Sequence, residues 1–234
     1  MMTYGEIVDC ELEAQEGKHF CIFHDPEAWK TASNQISKEF DKLINEGKQV
    51  FIGYHFPGLL IIERKALVRL FNGDEQRLVG YQLPRLPIIA KGPIDIELVL
   101  CKVHGSALFL CDFKRAVFTG STFENVTHFD GVKFEGTAQF DGAKFQDHTT
   151  FDRCKFEGEA RFHRAKFQDW AGFREVEFKQ SGVLAGAEFK GIATFSQTKF
   201  EKTVAFCDAR FKGPAYFVET EFKDLANFSG AYFG

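Results

Sequence analysis

Phenylalanine recurs along the second half of the chain at intervals that alternate between five and six residues, a combined period of 11. The chain contains 29 Phe against 5 Tyr and 2 Trp, and Leu184 takes the place of Phe at one step. A fixed period of this kind predicts a repeat architecture in which each step is one structural unit. The Phe residues of the series are Phe113, Phe118, Phe123, Phe129, Phe134, Phe140, Phe145, Phe151, Phe156, Phe162, Phe167, Phe173, Phe178, Phe189, Phe195, Phe200, Phe206, Phe211, Phe217, Phe222, Phe228 and Phe233.

The residues around each Phe predict one short strand followed by a corner. A small or β-branched residue lies two positions before, as Ala143 does before Phe145. Residues two apart on a strand share a face, so we expect both to point inward. Two positions after many Phe residues comes Gly, Asp or Asn, as Gly120 follows Phe118. These types tolerate the backbone conformations of tight turns.

Residues 22 positions apart match better than residues 11 apart. The small residues at 143, 165, 187, 209 and 231 are all Ala, whereas those at 132, 154, 176, 198 and 220 are Val, Cys, Val, Thr and Thr. The unit is therefore 22 residues with four sides, which predicts an all-β solenoid. Backward from Phe113, steps of five meet Leu108, Val103 and Leu98, so we expect the repeats to span residues 98–234.

This pattern resembles the pentapeptide-repeat proteins, in the Phe-rich variety with an extra residue in alternate repeats. The resemblance implies a right-handed quadrilateral β-helix with Phe stacked along its axis. The stretches KHFCIFHDPE (18–27) and FIGYHFPG (51–58) also resemble the N-terminal part of some Phe-rich members, where a Cys-x-x-His element precedes a helix.

The N-terminal part of the chain predicts a capping helix. Asp25 has the character of an N-cap with Pro26 at the first helical position, and apolar residues then recur at helical spacing up to Gly47. We expect a helix over about 26–46, within an N-terminal segment 1–58, that covers the first coil. Residues 59–97 predict a β-hairpin around Asn72-Gly73-Asp74 or an irregular first coil.

Cys10, Cys21 and His24 are the candidate metal ligands, because Cys-x-x-His is a spacing that can hold zinc. Only three ligands are in view and a structural site needs four, so a degenerate site with free thiols is the alternative. Cys101, Cys111 and Cys154 occupy inward small positions, which packing explains.

Several function classes are disfavoured by the sequence. It has no Gly-rich phosphate loop, no His-Glu-x-x-His and no Gly-x-Ser-x-Gly, so we expect no enzyme activity. A net charge of −4 gives no bulk basic excess for nucleic acid or a membrane. The acidic N-terminus is unlike a secretory signal and no apolar run approaches the length of a membrane span, which predicts a cytoplasmic protein.

The remaining hypothesis is a non-catalytic protein-binding scaffold whose partner is an unknown protein. Its candidate contact residues stack on one edge of the solenoid, and scattered surface apolar residues are the alternative reading. The wider family also implies a DNA mimic that binds a topoisomerase, but residues 113–234 hold 17 basic and 17 acidic residues, not an acidic excess. A zinc-stabilised binding module is a further alternative. The candidate contact residues are His148, Trp170, Ile192, Pro214, Tyr216 and Val218.

The last residues of the sequence are still in repeat register. Tyr232 and Phe233 would leave apolar core and strand edges uncovered at this end of the solenoid. A symmetric partner is one way to cover such an end, which predicts a homodimer through the C-terminal coils.

Overall fold

The computed structural model describes the backbone of residues 50–52, 55–56, 60–64 and 87–90, and then residues 93–234. The predicted helix over about 26–46 and the predicted turn at Asn72-Gly73-Asp74 lie outside these residues, so both stay predictions. No helix long and apolar enough to cross a membrane occurs in the part of the chain that is described.

Short parallel strands form four ladders, one on each side of the solenoid. Over most of the stack, each strand pairs with its counterpart in the next coil, as Lys144 does with Lys166. The strand Phe113–Val117 bridges two ladders because it runs along two sides of one coil. The predicted all-β solenoid is confirmed as a parallel stack of about 6 turns, ~22 residues apart.

The four ladders have the following strands. Ladder 1 contains His55–Phe56, Lys102–Val103, Thr122–Phe123, Lys144–Phe145, Lys166–Phe167, Glu188–Phe189, Arg210–Phe211 and Tyr232–Phe233. Ladder 2 contains Pro87–Ala90, Leu60–Arg64, Ala107–Leu110, Thr127–His128, Thr149–Thr150, Ala171–Gly172, Ala193–Thr194 and Ala215–Tyr216. Ladder 3 contains Phe113–Val117, Lys133–Phe134, Lys155–Phe156, Glu177–Phe178, Lys199–Phe200 and Glu221–Phe222. Ladder 4 contains Val50–Ile52, Ile94–Val99, Phe113–Val117, Ala138–Gln139, Ala160–Arg161, Gly182–Val183, Val204–Ala205 and Ala226–Asn227.

The Phe side chains fill the interior as stacked columns. Rings at the same place in successive coils are nearly parallel, as in the pair Phe167 and Phe189, whose centroids lie 4.9 Å apart at 1°. Rings on adjacent sides meet edge to face, as Phe151 and Phe162 do at 5.3 Å and 87°. Both arrangements suit the aromatic quadrupole, and the stacked spacing matches the distance between neighbouring strands.

The first coil of the Phe stack is shorter than the sequence predicted. Leu108 was expected to point inward, but the structure places Phe109 there, fully buried and stacked 4.2 Å from Phe129. The corner between Phe109 and Phe113 holds one residue fewer than the corresponding corner between Phe129 and Phe134. The inward position therefore shifts by one, because neighbouring residues on a strand face opposite sides.

Ladder pairing also begins before residue 98. The strand Val50–Ile52 pairs in parallel with residues 97–99, and His55–Phe56 pairs with Lys102–Val103. The strand Leu60–Arg64 has parallel partners on both edges, Pro87–Ala90 and Ala107–Leu110. This strand is therefore part of the coil stack, while the prediction of a hairpin or an irregular first coil over residues 59–97 stays a prediction.

Left-handed backbone conformations recur at every eleventh position of the regular coils, at the corner that follows ladder 2 or ladder 4. The N–H of Ser121 donates to the carbonyl of Phe118 at 3.1 Å while Gly120 between them has a φ of 66°. A positive φ at only the third of four residues defines a type II turn. The members of this regular series are Gly120, Gly131, Gly142, Arg153, Arg164, Glu175, Gly186, Gln197, Asp208, Glu219 and Gly230.

The turn type predicts opposite effects on the free energy of unfolding for substitutions at Gly131 and Arg153, which occupy the same corner in successive coils. Arg153→Gly should raise the free energy of unfolding by ~0.5–1 kcal/mol, because glycine adopts positive φ without steric cost. Gly131→Ala should lower it by ~1 kcal/mol. A Cβ at Gly131 meets nothing within 4 Å, so this loss reports backbone conformation alone. Denaturant unfolding measures both, and a reversed sign in either variant contradicts the turn assignment.

The core predicts a large difference between inward and outward substitutions. Leu184 is fully buried, so Leu184→Asp places an unpaired charge in the Phe columns. We expect a fall in Tm of ~10 °C or more. Lys202→Asp, at an exposed corner, should change Tm by no more than ~2 °C.

Leu184→Ala covers the case in which the Asp variant does not fold. This substitution leaves a cavity and should lower the free energy of unfolding by ~2–5 kcal/mol. Thermal unfolding in which Leu184→Ala and Lys202→Asp behave alike would contradict the buried position of Leu184.

Candidate functional site

The six candidate contact residues lie on the outside of ladder 2. Backbone hydrogen bonds stack them coil on coil: the N–H of Ala171 donates to the carbonyl of Ile192 at 2.8 Å, and that of Ala193 to Pro214 at 2.9 Å. Tyr216 is the ladder partner of Thr194, which lies in the preceding coil. We call this set the apolar stripe: His148, Trp170, Ile192, Pro214, Tyr216 and Val218.

The C-terminal half of the apolar stripe is open to solvent. Ile192 is 42% exposed, Tyr216 47% and Val218 58%, and Pro214 is also exposed. The outward residues beside them, Thr194 and Ser196, are uncharged. An exposed apolar patch with a central aromatic side chain has the composition of a protein contact surface.

The N-terminal half of the stripe is held in place by neighbouring side chains. The rings of His148 and Trp170 meet edge to face with centroids 4.0 Å apart. The guanidinium carbon of Arg174 lies 5.3 Å from the Trp170 ring centroid, within cation–π range. Trp170 is therefore half-buried between an imidazole and a guanidinium group.

Asp152 anchors that guanidinium group. Its Oδ2 accepts hydrogen bonds from Nε of Arg174 at 2.8 Å and from Nη2 at 2.5 Å, while its Oδ1 accepts from the backbone N–H of Arg174 at 2.9 Å. The side chain of Asp152 is only 8% exposed, and its hydrogen bond raises the pKa of Arg174. A paired, nearly buried carboxylate of this kind fixes its partner better than a solvated ion pair does.

Gly172 makes room for this anchor. A Cβ at Gly172 would lie 2.8 Å from Oδ1 of Asp152 and 3.2 Å from Cγ2 of Thr150. The residues of this site that were not predicted from the sequence are Asp152, Gly172 and Arg174. The available signal was the run Trp170-Ala-Gly-Phe-Arg174, in which an outward Gly lies one coil above Thr150 and Arg174 lies one coil above Asp152.

The last described strand of ladder 1 leaves Tyr232 and Phe233 at the end of the stack. Tyr232 is 57% exposed and Phe233 52%, although the Phe233 ring stacks 4.9 Å from that of Phe211. The structure contains a single copy of the chain, so the homodimer through this end stays a prediction.

Cys10, Cys21 and His24 lie outside the described residues, so the zinc site stays a prediction. Within the described residues, no group of three or more His, Cys, Asp or Glu side chains could hold a metal ion.

The inward positions of Cys101, Cys111 and Cys154 are confirmed, because all three are buried. Burial raises the pKa of the Cys154 thiol well above its usual value, and its Sγ donates to the carbonyl of Phe129 at 2.9 Å. A thiol held protonated in the core is chemically inert, so Cys154 serves packing.

The regular coils of the solenoid are similar to a known type of sequence repeat. No curated protein and no solved structure matches the chain. A family model described as pentapeptide repeats (9 copies) matches residues 129–177, 173–221 and 184–234. The matched residues lie within the regular coils. Residues 129–234 of this chain are therefore similar to a run of pentapeptide repeats.

Proposed function

We propose that the chain is a non-catalytic scaffold that binds another protein through the apolar stripe on ladder 2. The observation that carries this proposal is the exposure of Ile192, Tyr216 and Val218 at neighbouring outward positions on one side of the solenoid. Exposed apolar side chains at neighbouring positions lose unfavourable contact with water when a partner covers them.

Preorganisation of the stripe supports the same proposal. Parallel strands fix the backbone of ladder 2. The contacts of Trp170 with His148 and Arg174 limit the rotamers of the Trp170 side chain in the absence of a partner. A surface that is already ordered loses little conformational entropy on binding. Trp and Tyr side chains also contribute disproportionately to the binding energy of protein interfaces.

The charge distribution does not favour the DNA-mimic alternative. Residues 113–234 contain equal numbers of basic and acidic residues, whereas a protein that replaces a DNA duplex needs a continuous negative surface. The zinc-stabilised module depends on Cys10, Cys21 and His24, and together with the cytoplasmic location it stays a prediction.

Charge insertion into the stripe should abolish partner binding. Ile192→Glu combined with Val218→Glu places two carboxylates in the stripe without touching the core, since both native side chains are exposed. The matched control is Ala185→Glu combined with Ala205→Glu, which adds the same charge to the outside of ladder 4.

The measurement is affinity capture from the source cells, followed by titration of the captured protein against each variant. We expect the control to bind like the unaltered chain and the stripe variant to bind at least ~10-fold more weakly. Equal affinity of the two variants for the captured protein would contradict the proposed surface.

A further inference from the structure

Basic side chains without a carboxylate partner are concentrated on ladder 1. On ladder 3, Lys133, Lys155, Lys179, Lys199 and Lys223 each have a carboxylate oxygen within 3.5 Å. On ladder 1 and its corner with ladder 4, Lys102 pairs with Glu124 at 2.8 Å and Lys212 pairs with Glu188 at 2.6 Å. The basic residues that lie there between these two lysines have no ion pair among the residues the structure describes. We call the basic residues of this region from Lys144 to Lys212, paired or not, the basic face: Lys144, Arg164, Lys166, Lys190, Arg210 and Lys212.

Like charges are stacked at two places in the basic face. Lys144 and Lys166 are ladder partners, and Lys190 lies one coil from Lys212 in the neighbouring column. Like charges at ladder spacing oppose folding. On ladder 1, Glu188 lies between Lys166 and Arg210 in one column, whereas Lys190 and Lys212 are stacked in the other. On ladder 3, carboxylates occur in both columns, as Glu177 next to Lys155 and Glu201 next to Lys223.

One carboxylate does not neutralise this face. Glu188 is the single acidic residue among the outward positions of ladder 1 between Lys144 and Lys212. A hydrogen bond from Lys212 lowers the pKa of Glu188, and the charges of Lys190 and Lys166 add to the effect. The unpaired cations therefore create a positive potential that attracts an external anion.

The positive strip is narrow and straight. Its two columns are two residues apart along each strand, a separation of ~7 Å, and Lys144 and Arg210 are three strand spacings apart, ~14 Å. Carboxylates border the strip on both sides, with Asp147 and Asp169 at the corner with ladder 2 and Asp208 at the corner with ladder 4. This width suits one extended chain, whereas a nucleic-acid duplex, whose major groove alone is ~12 Å wide, would bring phosphates over these carboxylates.

We propose that the basic face binds an acidic segment of a partner polypeptide in extended conformation, with Asp or Glu side chains paired to its lysines and arginines. The assignment of a polypeptide rests on the proposed function, since the basic face borders the apolar stripe. Only Gly191 separates Lys190 from Ile192, and only Gly213 separates Lys212 from Pro214. A partner segment with acidic and apolar residues in alternation can therefore contact both surfaces.

The direct test is titration of the full chain with fluorescein-labelled octaglutamate at low ionic strength. Lys166→Gln, Lys190→Gln and Arg210→Gln together remove three unpaired cations, and Gln already occurs in this face at Gln146 and Gln168. The matched control is Lys133→Gln, Lys155→Gln and Lys199→Gln, which removes the same charge from ladder 3. We expect the ladder 1 variant to lose at least ~10-fold in affinity and the control less than ~3-fold.

The competing ligands are part of the same experiment. Affinity for octaglutamate should fall as salt rises, because the contact is electrostatic. Equal losses in both triple variants, or no saturable binding by the unaltered chain, overturn the proposal. Tighter binding of a 20-base-pair duplex or of phosphatidylserine vesicles than of octaglutamate at the same salt also overturns it.

Octaglutamate has no apolar side chains, so this test separates the two proposals. Tyr216→Ala should leave octaglutamate affinity unchanged even though Tyr216 belongs to the apolar stripe. If octaglutamate fails to bind while stripe-dependent capture persists, the acidic-segment proposal fails and the proposed function stands. If octaglutamate binds but capture does not depend on the stripe, the proposed function fails instead.

Discussion

Stacking of Phe rings between successive coils is the interaction on which the rest of this molecule depends. Rings at equivalent places in neighbouring coils lie almost parallel, at 4.6 Å for Phe134 and Phe156 and 5.0 Å for Phe151 and Phe173. Backbone hydrogen bonds between coils impose nearly the same spacing, so side chains and main chain favour one register. Phe side chains and the small residues beside them thereby fill the interior, and function is left to the outward positions.

The outward positions differ from ladder to ladder. Ladder 3 carries paired charges, ladder 1 carries unpaired cations, and ladder 2 carries the apolar stripe. Because the coils are rigid and in register, substitutions at equivalent places in successive coils build a continuous surface without changing the core. Binding energy can therefore accumulate along a face, one coil at a time, while the overall charge of the repeat stays balanced.

The regular coils could be predicted from the sequence because each residue's place follows from its distance to the next Phe. Prediction failed where that distance changes: the shortened first coil turns Phe109 inward instead of Leu108. The pairing of Val50 with Glu97 was also missed, since the intervening residues carry no period that would reveal it. The positions of the apolar stripe followed from the columns, whereas the anchor between Asp152 and Arg174 depends on space left by Gly172. The basic face could not be predicted from the net charge, because the total charge over the repeat is balanced. Paired and unpaired cations can be told apart only when each residue is assigned to its ladder.

The central claim is the register between coils, because every face follows from it, and spin labelling tests it most directly. Labels would be placed in a chain whose Cys10, Cys21 and Cys207 are replaced by Ser. Labels at positions 155 and 177, which are ladder partners on ladder 3, should show strong dipolar broadening. Labels at 155 and 166, on ladders 3 and 1, should show none although they are closer in sequence. Broadening in the second pair, or its absence in the first, would contradict the register and the division of the surface into faces.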